Sequence, residues 1–239
     1  MKTMGWILRA FLLILSPVLI SQECLAGVVI EQLVRDRDRI ASRVVLYFSE
    51  NQFRTDHLET GMTTIIDFKD DKMTMVDHRS KRYVQTPFSQ WEKEVAERLK
   101  KENPGVTPKA RKIVVKSSGE TVTINGFQTE KIQIFADGEL IEEDWVTRDL
   151  EISEVEKVME KVAQGFSEGF RVEMKEGREI YEKLRPYGFP ILVKDYTTAY
   201  GMGAIEVLEV KKMERKELGD EVFLPPAGYQ RITPERPKK

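Results

Sequence analysis

The sequence predicts an α+β protein built on one large, strongly curved antiparallel β-sheet of about ten strands, with helices against one face. Three observations lead to this fold class. Short β-rich segments alternate with polar turns, two dipeptides typical of tight hairpins separate alternating segments, and helical spacing interrupts the strands in only two places. Connections this short exclude the long crossovers that a parallel sheet requires.

The strands of the first third of the chain are short and rich in β-branched and aromatic residues, which suit a pleated surface. Val28–Val34, Val44–Phe48 and Gln52–His57 are the first three. The stretch from Thr63 to Pro87 supplies three more, separated by polar turns around Asp70 and His78.

Two glycine-containing turns predict hairpins in the middle of the chain. Asn125-Gly126 and Asp137-Gly138 each lie between alternating segments, and such dipeptides accept the positive φ angles of a two-residue hairpin turn. Glu120–Thr147 is therefore predicted to be a three-stranded meander. Ile191–Tyr196 and Ala204–Met213 are the last predicted strands.

Two capping boxes, with serine and glutamate three residues apart, predict helix starts at Ser89–Glu92 and Ser153–Glu156. In the first helix Trp91, Val95 and Leu99 line one face, and in the second Val155, Val158, Met159 and Val162 do so. After Gly165, a segment with Phe166, Phe170 and Met174 leads to a further predicted helix around Tyr181. Pro186 and Gly188 end it.

The composition is that of a globular protein with a well-charged surface. The chain has 239 residues, of which 41% are apolar and 33% charged, with a net charge of −2. Charges of both signs alternate, so no nucleic-acid-binding surface is predicted. We expect one domain over residues 27–231, of half-barrel form, and a disordered, charged tail over 232–239.

The first 26 residues have the order of a secretory signal peptide. Lys2 and Arg9 precede the apolar run from Ala10 to Ile20, and small residues lead to a predicted cleavage after Ala26. We therefore expect an exported, periplasmic protein. An uncleaved anchor is the alternative, because Trp6 to Leu8 extend the apolar stretch across Arg9.

Cys24 raises the question of a lipoprotein, because lipoprotein signals end just before a cysteine that becomes acylated. The charged Glu23 fits such a signal badly, so a cysteine within a discarded signal is the favoured interpretation. The mature chain then has no cysteine for a disulfide, a nucleophile or a metal site.

The motifs that suggest catalysis lack the context that the chemistry needs. Gly165 to Gly169 matches G-x-S-x-G around Ser167, but a helix precedes it and both histidines, His57 and His78, lie upstream. No ligand spacing suggests a metal, and the histidines are expected to be solvated. We therefore predict no enzyme activity, no cofactor and no metal.

The aromatic and methionine residues have two interpretations. They form a closed core, which is the common outcome, or they line an apolar cavity that sheet and helices leave open. The candidate lining comprises Met73, Met75, Tyr83, Trp91, Val95, Leu99, Trp145, Phe166, Phe170 and Met174.

The order of these segments resembles a family of exported bacterial proteins of unknown function. The landmarks are the opening GVVIEQ, then ENQFRTD, the Thr63–Pro87 stretch, a capped helix, the hairpins and a closing FLPPAGYQ. The chain is also more distantly similar to the periplasmic lipoprotein carriers with the LolA-like fold. This resemblance covers nearly all of the mature chain.

The resemblance implies a half-barrel whose helices lie across the concave side, where the carriers hold acyl chains. The family landmarks fall on Arg54, Asp67, Tyr83 and Trp145, none with a catalytic role, and we expect structural work from Arg54, Asp67 and Gly126. The long charged helical insert from Ser153 to Leu184 departs from the carriers.

The leading hypothesis is a periplasmic, non-enzymatic protein that binds a lipid, an acyl chain, another amphiphile or a lipoprotein between sheet and helices. The alternative is an envelope interaction or sensor protein with a filled core, which binds an envelope protein through its surface or sheet edge.

Overall fold

In the part of the chain that the structure describes, the fold is an open sheet of twelve strands with three helices. The computed structural model describes residues 25–36, 41–102, 111–150, 152–165, 172–196 and 205–233. The strands are β1 (Leu25–Asp36), β2 (Ala41–Phe48), β3 (Gln52–His57), β4 (Met62–Asp67), β5 (Lys72–Asp77), β6 (Arg82–Pro87), β7 (Ile113–Ile124), β8 (Phe127–Ala136), β9 (Glu139–Thr147), β10 (Phe189–Asp195), β11 (Ile205–Leu218) and β12 (Gln230–Arg231). The helices are α1 (Phe88–Glu102), α2 (Ser153–Gly165) and α3 (Val172–Leu184).

The first described strand, β1, lies in the middle of the sheet, and the strands up to β6 extend the sheet outwards from it to one side. The strand order is β12-β6-β5-β4-β3-β2-β1-β11-β10-β9-β8-β7. After β6 the chain passes through α1 to the far edge and returns strand by strand until β11 pairs with β1. Apart from the two-residue parallel contact of β12 with β6, every pair is antiparallel, so the predicted α+β class and antiparallel sheet are confirmed. There are twelve strands rather than about ten, and β12 is too short to leave a periodicity in the sequence.

The half from β3 to β6 repeats one hairpin geometry. Each strand has six residues and each turn has four. The last turn residue has a positive φ in every case, 69° at Gly61, 46° at Asp71 and 53° at Lys81. Asp67 and Asp77 end their strands, and their carboxylates accept hydrogen bonds from the backbone N–H groups of the turn that follows. These side chains close the turns in the way that aspartate favours.

The two predicted hairpins are confirmed. The φ angles are 49° and 88° at Asn125 and Gly126, and 52° and 90° at Asp137 and Gly138. Two consecutive positive φ angles define the tight turn that matches the twist of paired strands. The β7–β8–β9 meander is therefore fixed by local sequence.

All three helices pack against one face of the sheet, which we call the helix face. Phe88 and Trp91 of α1 pack on Ile66 and Met73, Val155 and Val158 of α2 on Ile30 and Phe48, and Ile180 and Leu184 of α3 on Ile132 and Ile134. On the opposite face, the 3-10 turn Asp220–Phe223 and Tyr229 cover β1 to β6 through Val29, Ile65 and Val76.

The start of α1 is held by a side chain from another hairpin. The Ser89 hydroxyl donates to the Asp71 carboxylate at 2.7 Å, and the Ser89 backbone N–H donates to the same group at 2.8 Å. Glu92 has a buried oxygen with no hydrogen-bond partner among the described residues. The capping box predicted at Ser89–Glu92 is therefore wrong, because Asp71 is placed by the β4–β5 turn and takes over the capping role.

Candidate functional site

A cavity of about 450 Å³ lies between the helix face and the helices α2 and α3. We call it the α2–α3 cavity. Its floor consists of sheet residues, Ile30, Leu46, Phe48, Val193, Leu208 and Val210. Its roof comes from the helices, with Val155 and Met159 from α2 and Tyr181 and Leu184 from α3. The volume falls within the range of small-molecule sites, and the lining is mainly apolar.

The sequence produces this cavity by the spacing of apolar residues on α2. Val155 and Val158 are buried against the sheet, whereas Met159 is 39% exposed although it lines the cavity. The helix therefore contacts the sheet along a narrow line and leaves space beside it. Since Met159 is in contact with both solvent and cavity, the cavity reaches the surface at this residue.

One end of the cavity, which we call the rim, is formed by the 3-10 turn Arg185–Tyr187 and the residues around it. Gly188 has a φ of 129°, and a Cβ atom there would lie 2.2 Å from the carbonyl oxygen of Thr147. Only glycine permits this approach of the turn to the end of β9. As a result Arg148, the residue after β9, donates from Nε to the carbonyl oxygen of Tyr187 at 3.2 Å.

The two arginines of the rim differ in their partners. Arg185 donates to Glu156 at 3.3 Å and to Glu160 at 2.9 Å, both on α2, so it ties the rim to the roof. Arg148 is 66% exposed at its side chain, and its nearest carboxylate, Glu130, lies 3.8 Å away. Both arginines line the cavity.

The roof also carries a hydroxyl group without a partner. The Tyr181 hydroxyl oxygen is buried and has no hydrogen-bond partner among the described residues. Burial raises the pKa of this phenol, so the group is neutral at physiological pH. It is a polar atom among the apolar roof side chains of Val155, Met159 and Leu184.

Two carboxyl groups lie beside the floor of the cavity, that of Asp144 buried and that of Glu142 half-buried. Glu142 and Asp144 of β9 point to the helix face, where Asp144 pairs in register with the floor residue Val193 and with the fully buried Ile132. Burial raises the pKa of Glu142 to about 7. Burial and the neighbouring Glu142 raise the pKa of Asp144 well above its usual range.

Four of the predicted lining residues lie beneath α1 or on it, away from the α2–α3 cavity. Met73 and Met75 of β5 form a packed cluster with Phe88 and Trp91 of α1. Val95 is a half-buried residue of the same helix. The α2–α3 cavity lies instead over the centre of the sheet. None of the predicted residues with a described side chain lines the α2–α3 cavity.

Tyr83 and Trp145 lie on the opposite face, which differs from their predicted position. Tyr83 pairs with Val76 and packs on the cluster that the 3-10 turn Asp220–Phe223 covers. Trp145 pairs with Lys131, and the Nζ atoms of Lys131 and Lys194 lie 5.1 and 4.8 Å from its ring centroid. Adjacent residues of a strand point to opposite faces. The presence of an aromatic residue on a predicted strand therefore does not indicate which face of the sheet it occupies.

The remaining predicted lining residues are described in part or not at all. Leu99 belongs to α1 and Met174 to α3, and the structure describes the backbone but not the side chain of each. Phe166 and Phe170 lie outside the described residues altogether, as does Ser167 of the G-x-S-x-G segment. The sequence analysis missed the floor residues because they come from β1, β2, β10 and β11, whose adjacency depends on long-range pairing.

Arg54, one of the family landmark residues, and His78 both contact the C-terminal segment of the chain. Arg54 binds Asp56 through two nitrogens, at 2.8 and 3.0 Å, and donates to the carbonyl oxygen of Val222 at 2.7 Å. His78 contacts the Thr63 hydroxyl at 2.9 Å and the Tyr229 hydroxyl at 3.0 Å. His57 is exposed, as expected, but His78 is not a solvated surface histidine, because the C-terminal segment folds over it.

Neither a metal site nor a membrane-spanning helix is found among the described residues. No group of three or more histidine, cysteine, aspartate or glutamate residues within that part of the chain could hold a metal ion. No helix there is both long and apolar enough to cross a membrane.

An open antiparallel sheet with all its helices on one face and an apolar cavity beneath them defines the class of architecture. The family described as a domain of unknown function, DUF4412, matches residues 27–229, and the chain belongs to this family. The resemblance to a family of unknown function that the sequence suggested is thereby confirmed.

Comparison with solved structures finds matches at low identity. An uncharacterized conserved protein from Thermus thermophilus matches with 11% identity and a TM-score of 0.45, over 87% of this chain and 90% of that one. PNGF-II matches with 11% identity and a TM-score of 0.36, over 87% of this chain but 31% of that one. A LolA superfamily protein from Nitrosomonas europaea matches with 9% identity and a TM-score of 0.31, over 84% and 90%. No curated protein matches the sequence.

Proposed function

We propose that this protein is exported to the periplasm and binds the apolar part of a lipid, an amphiphile or a lipidated partner in the α2–α3 cavity, without catalysing a reaction. The observation that carries the proposal is the cavity of about 450 Å³ between sheet and helices, lined mainly by apolar side chains. An apolar chain that enters it leaves water, and each buried methylene group contributes about 0.8 kcal/mol.

Three features of the lining support a ligand rather than an empty packing defect. The cavity reaches solvent beside Met159, so a chain can enter. Methionine is a flexible side chain that adapts to ligands of different shape. The floor and the roof belong to different elements. The ion pairs of Arg185 join α2 to the rim. A small movement of α2 relative to the sheet therefore changes the width of the entrance.

A cavity-filling substitution tests the proposal. Leu208→Trp places a large ring into the floor, and Val207→Trp is the matched control, because the neighbouring residue of β11 points to the opposite face. We expect the purified wild type to bind a fluorescent fatty-acid analogue, Leu208→Trp to lose most of this binding and Val207→Trp to retain it. Circular dichroism of the three proteins verifies that the variants are folded.

The result also separates the two functional hypotheses. Lipid that co-purifies with the natively prepared protein, detected by mass spectrometry, agrees with a binding function. If the wild type binds no probe and carries no lipid, the envelope interaction or sensor protein becomes the better interpretation.

Export has its own test. The mature protein is expected to begin at or near Gly27, and the intact mass of protein recovered from the periplasm measures this directly. A diacylated species that begins at Cys24 would show instead that the protein is a lipoprotein.

A further inference from the structure

We propose that the ligand of the α2–α3 cavity is an anionic amphiphile, and that the Arg148 guanidinium at the rim binds its carboxylate or phosphate group while the apolar chain lies over the floor. This inference rests on the proposed function and specifies the polar end of the ligand.

The described lining carries few charged side chains. Among its described residues, Arg148, Glu156 and Arg185 are the ionisable ones apart from the neutral phenol of Tyr181. Glu156 and Arg185 pair with each other, and Glu160 adds a second carboxylate to Arg185. Arg185 is thus compensated within the protein, which leaves Arg148 as the cation that can respond to a ligand.

A hydrogen bond to the rim holds the Arg148 guanidinium in position. Its Nε donates to the carbonyl oxygen of Tyr187, and this contact depends on the close approach that Gly188 allows. A guanidinium group has five N–H donors, so the two terminal nitrogens keep their donors for another acceptor. A planar group that is held in place by one hydrogen bond is well suited to bind a carboxylate or a phosphate with the other nitrogens.

Glu130 is the carboxylate of the protein that competes for Arg148. It lies 3.8 Å from Arg148 Nη2, beyond hydrogen-bond distance. This contact therefore lacks the charge-assisted hydrogen bonds that a ligand anion in direct contact with the guanidinium would form. Glu130 also accepts a hydrogen bond from the Ser117 hydroxyl, so it has a partner when a ligand anion takes its place beside Arg148.

The experiment compares ligands that share one apolar chain and differ only at the head. A fatty acid, an alkyl phosphate, a fatty alcohol and an alkyl trimethylammonium of equal chain length each displace the fluorescent probe from the wild type at neutral pH. We expect the two anions to bind about tenfold more tightly than the alcohol, which corresponds to about 1.4 kcal/mol, and the cation to bind more weakly than the alcohol. The ratio of the two anions shows which head group the rim prefers.

The variants assign the preference to Arg148. Arg148→Gln is expected to weaken anion binding about tenfold and to leave the alcohol unchanged. Arg148→Lys keeps the positive charge but not the planar guanidinium group, so its affinity for the anions should lie between those of the wild type and Arg148→Gln. Arg43→Gln is the control, because Arg43 is equally exposed but points to the opposite face and pairs with Glu59.

The possible failures are distinct. If wild type binds the acid and the alcohol equally, or if Arg148→Gln weakens both by the same factor, the head-group inference is wrong and the cavity proposal stands. If no ligand with any head group displaces the probe or binds, the proposed function itself fails.

Discussion

The two halves of the sheet solve the same packing problem in different ways. From β3 to β6 both faces are closed, with α1 packed on one side and the 3-10 turn Asp220–Phe223 on the other. Where β2, β1, β11 and β10 lie side by side, the helices α2 and α3 cover one face but leave the cavity beneath them. The first half therefore has the properties of a filled core, and the second has those of a binding site.

Two turn carboxylates of the first half and two carboxyl groups of β9 in the second half differ in the direction of their pKa shifts. In the first half, hydrogen bonds from Ser89 lower the pKa of Asp71, and hydrogen bonds from Ser80 lower the pKa of Asp77. In the second half burial raises the pKa of Glu142 and Asp144. Turn carboxylates are thus charged and structural, whereas the pair of β9 lowers stability at neutral pH beside the proposed site, a cost often tolerated where a protein functions.

The largest expected difference between the halves is the response to a truncated aromatic residue. Phe88→Ala removes a ring packed between Phe68 and Trp91, so a new void forms, and we expect a loss of about 3–5 kcal/mol. Phe189→Ala enlarges a cavity that already exists, so the loss should stay below about 2 kcal/mol. Urea unfolding of both variants measures the two values. Equal losses would show that the second half is as closely packed as the first.

The next effect is a dependence of stability on pH that belongs to the second half. The pKa of Glu142 rises from its ordinary value of 4.5 to about 7 on folding. Because the folded protein retains the proton that the unfolded chain loses, the contribution of Glu142 to stability is fully present below about pH 4.5 and is lost as the pH rises to about 7, a change on the order of 3 kcal/mol. Asp144, whose pKa is raised in the same direction, adds to this fall.

Glu142→Gln should remove its part of that fall, since glutamine keeps the shape without the charge. The matched control is Glu179→Gln, an exposed residue of α3 paired with Lys183. Thermal unfolding between pH 4 and pH 8 compares the three proteins. A wild type whose stability rises over this range would contradict the assignment.

The smallest effect concerns the hairpin that begins the second half. Gly126→Val is expected to lower stability by about 1–3 kcal/mol, because a β-branched residue is strained at a φ of 88°. A Cβ atom at this position meets no other atom within 4 Å, so the cost comes from the backbone alone.

A second glycine of the same half supplies the control. Gly177 lies within α3, where an added Cβ also meets open space, and Gly177→Ala should raise stability by about 0.5–1 kcal/mol. Chemical denaturation of both variants shows whether each substitution raises or lowers the free energy of unfolding. A destabilising Gly177→Ala would indicate that space around these residues, rather than φ, decides the outcome.

Sequence reasoning succeeded for strands and tight turns, whose causes are local. The strand Gln52–His57 has the predicted bounds, and Asn125-Gly126 and Asp137-Gly138 form the predicted turns. Alternation and turn chemistry act over a few residues, so a single sequence shows them. The antiparallel class follows from the same short connections.

The face that a residue occupies could be predicted less well, because it depends on register. Met73 and Tyr83 both lie on predicted strands with turns of known length, yet they point to opposite faces. Without knowledge of which face the helices cover, both were equally good candidates for the cavity. The capping of α1 by Asp71 was missed for a related reason, since the cap comes from 18 residues away in the sequence.

The sequence by itself determined the strands, the tight turns and the helices, because those follow from backbone preferences and apolar spacing within short segments. Only the tertiary structure decided that β1 pairs with β11, and so that Ile30, Leu208 and Val193 form one floor. It also decided that Gly188 brings the Arg185–Tyr187 turn to the end of β9 and sets Arg148 at the rim. The physical reason is that a cavity is the space left between elements far apart in the chain, and that space has no local signal.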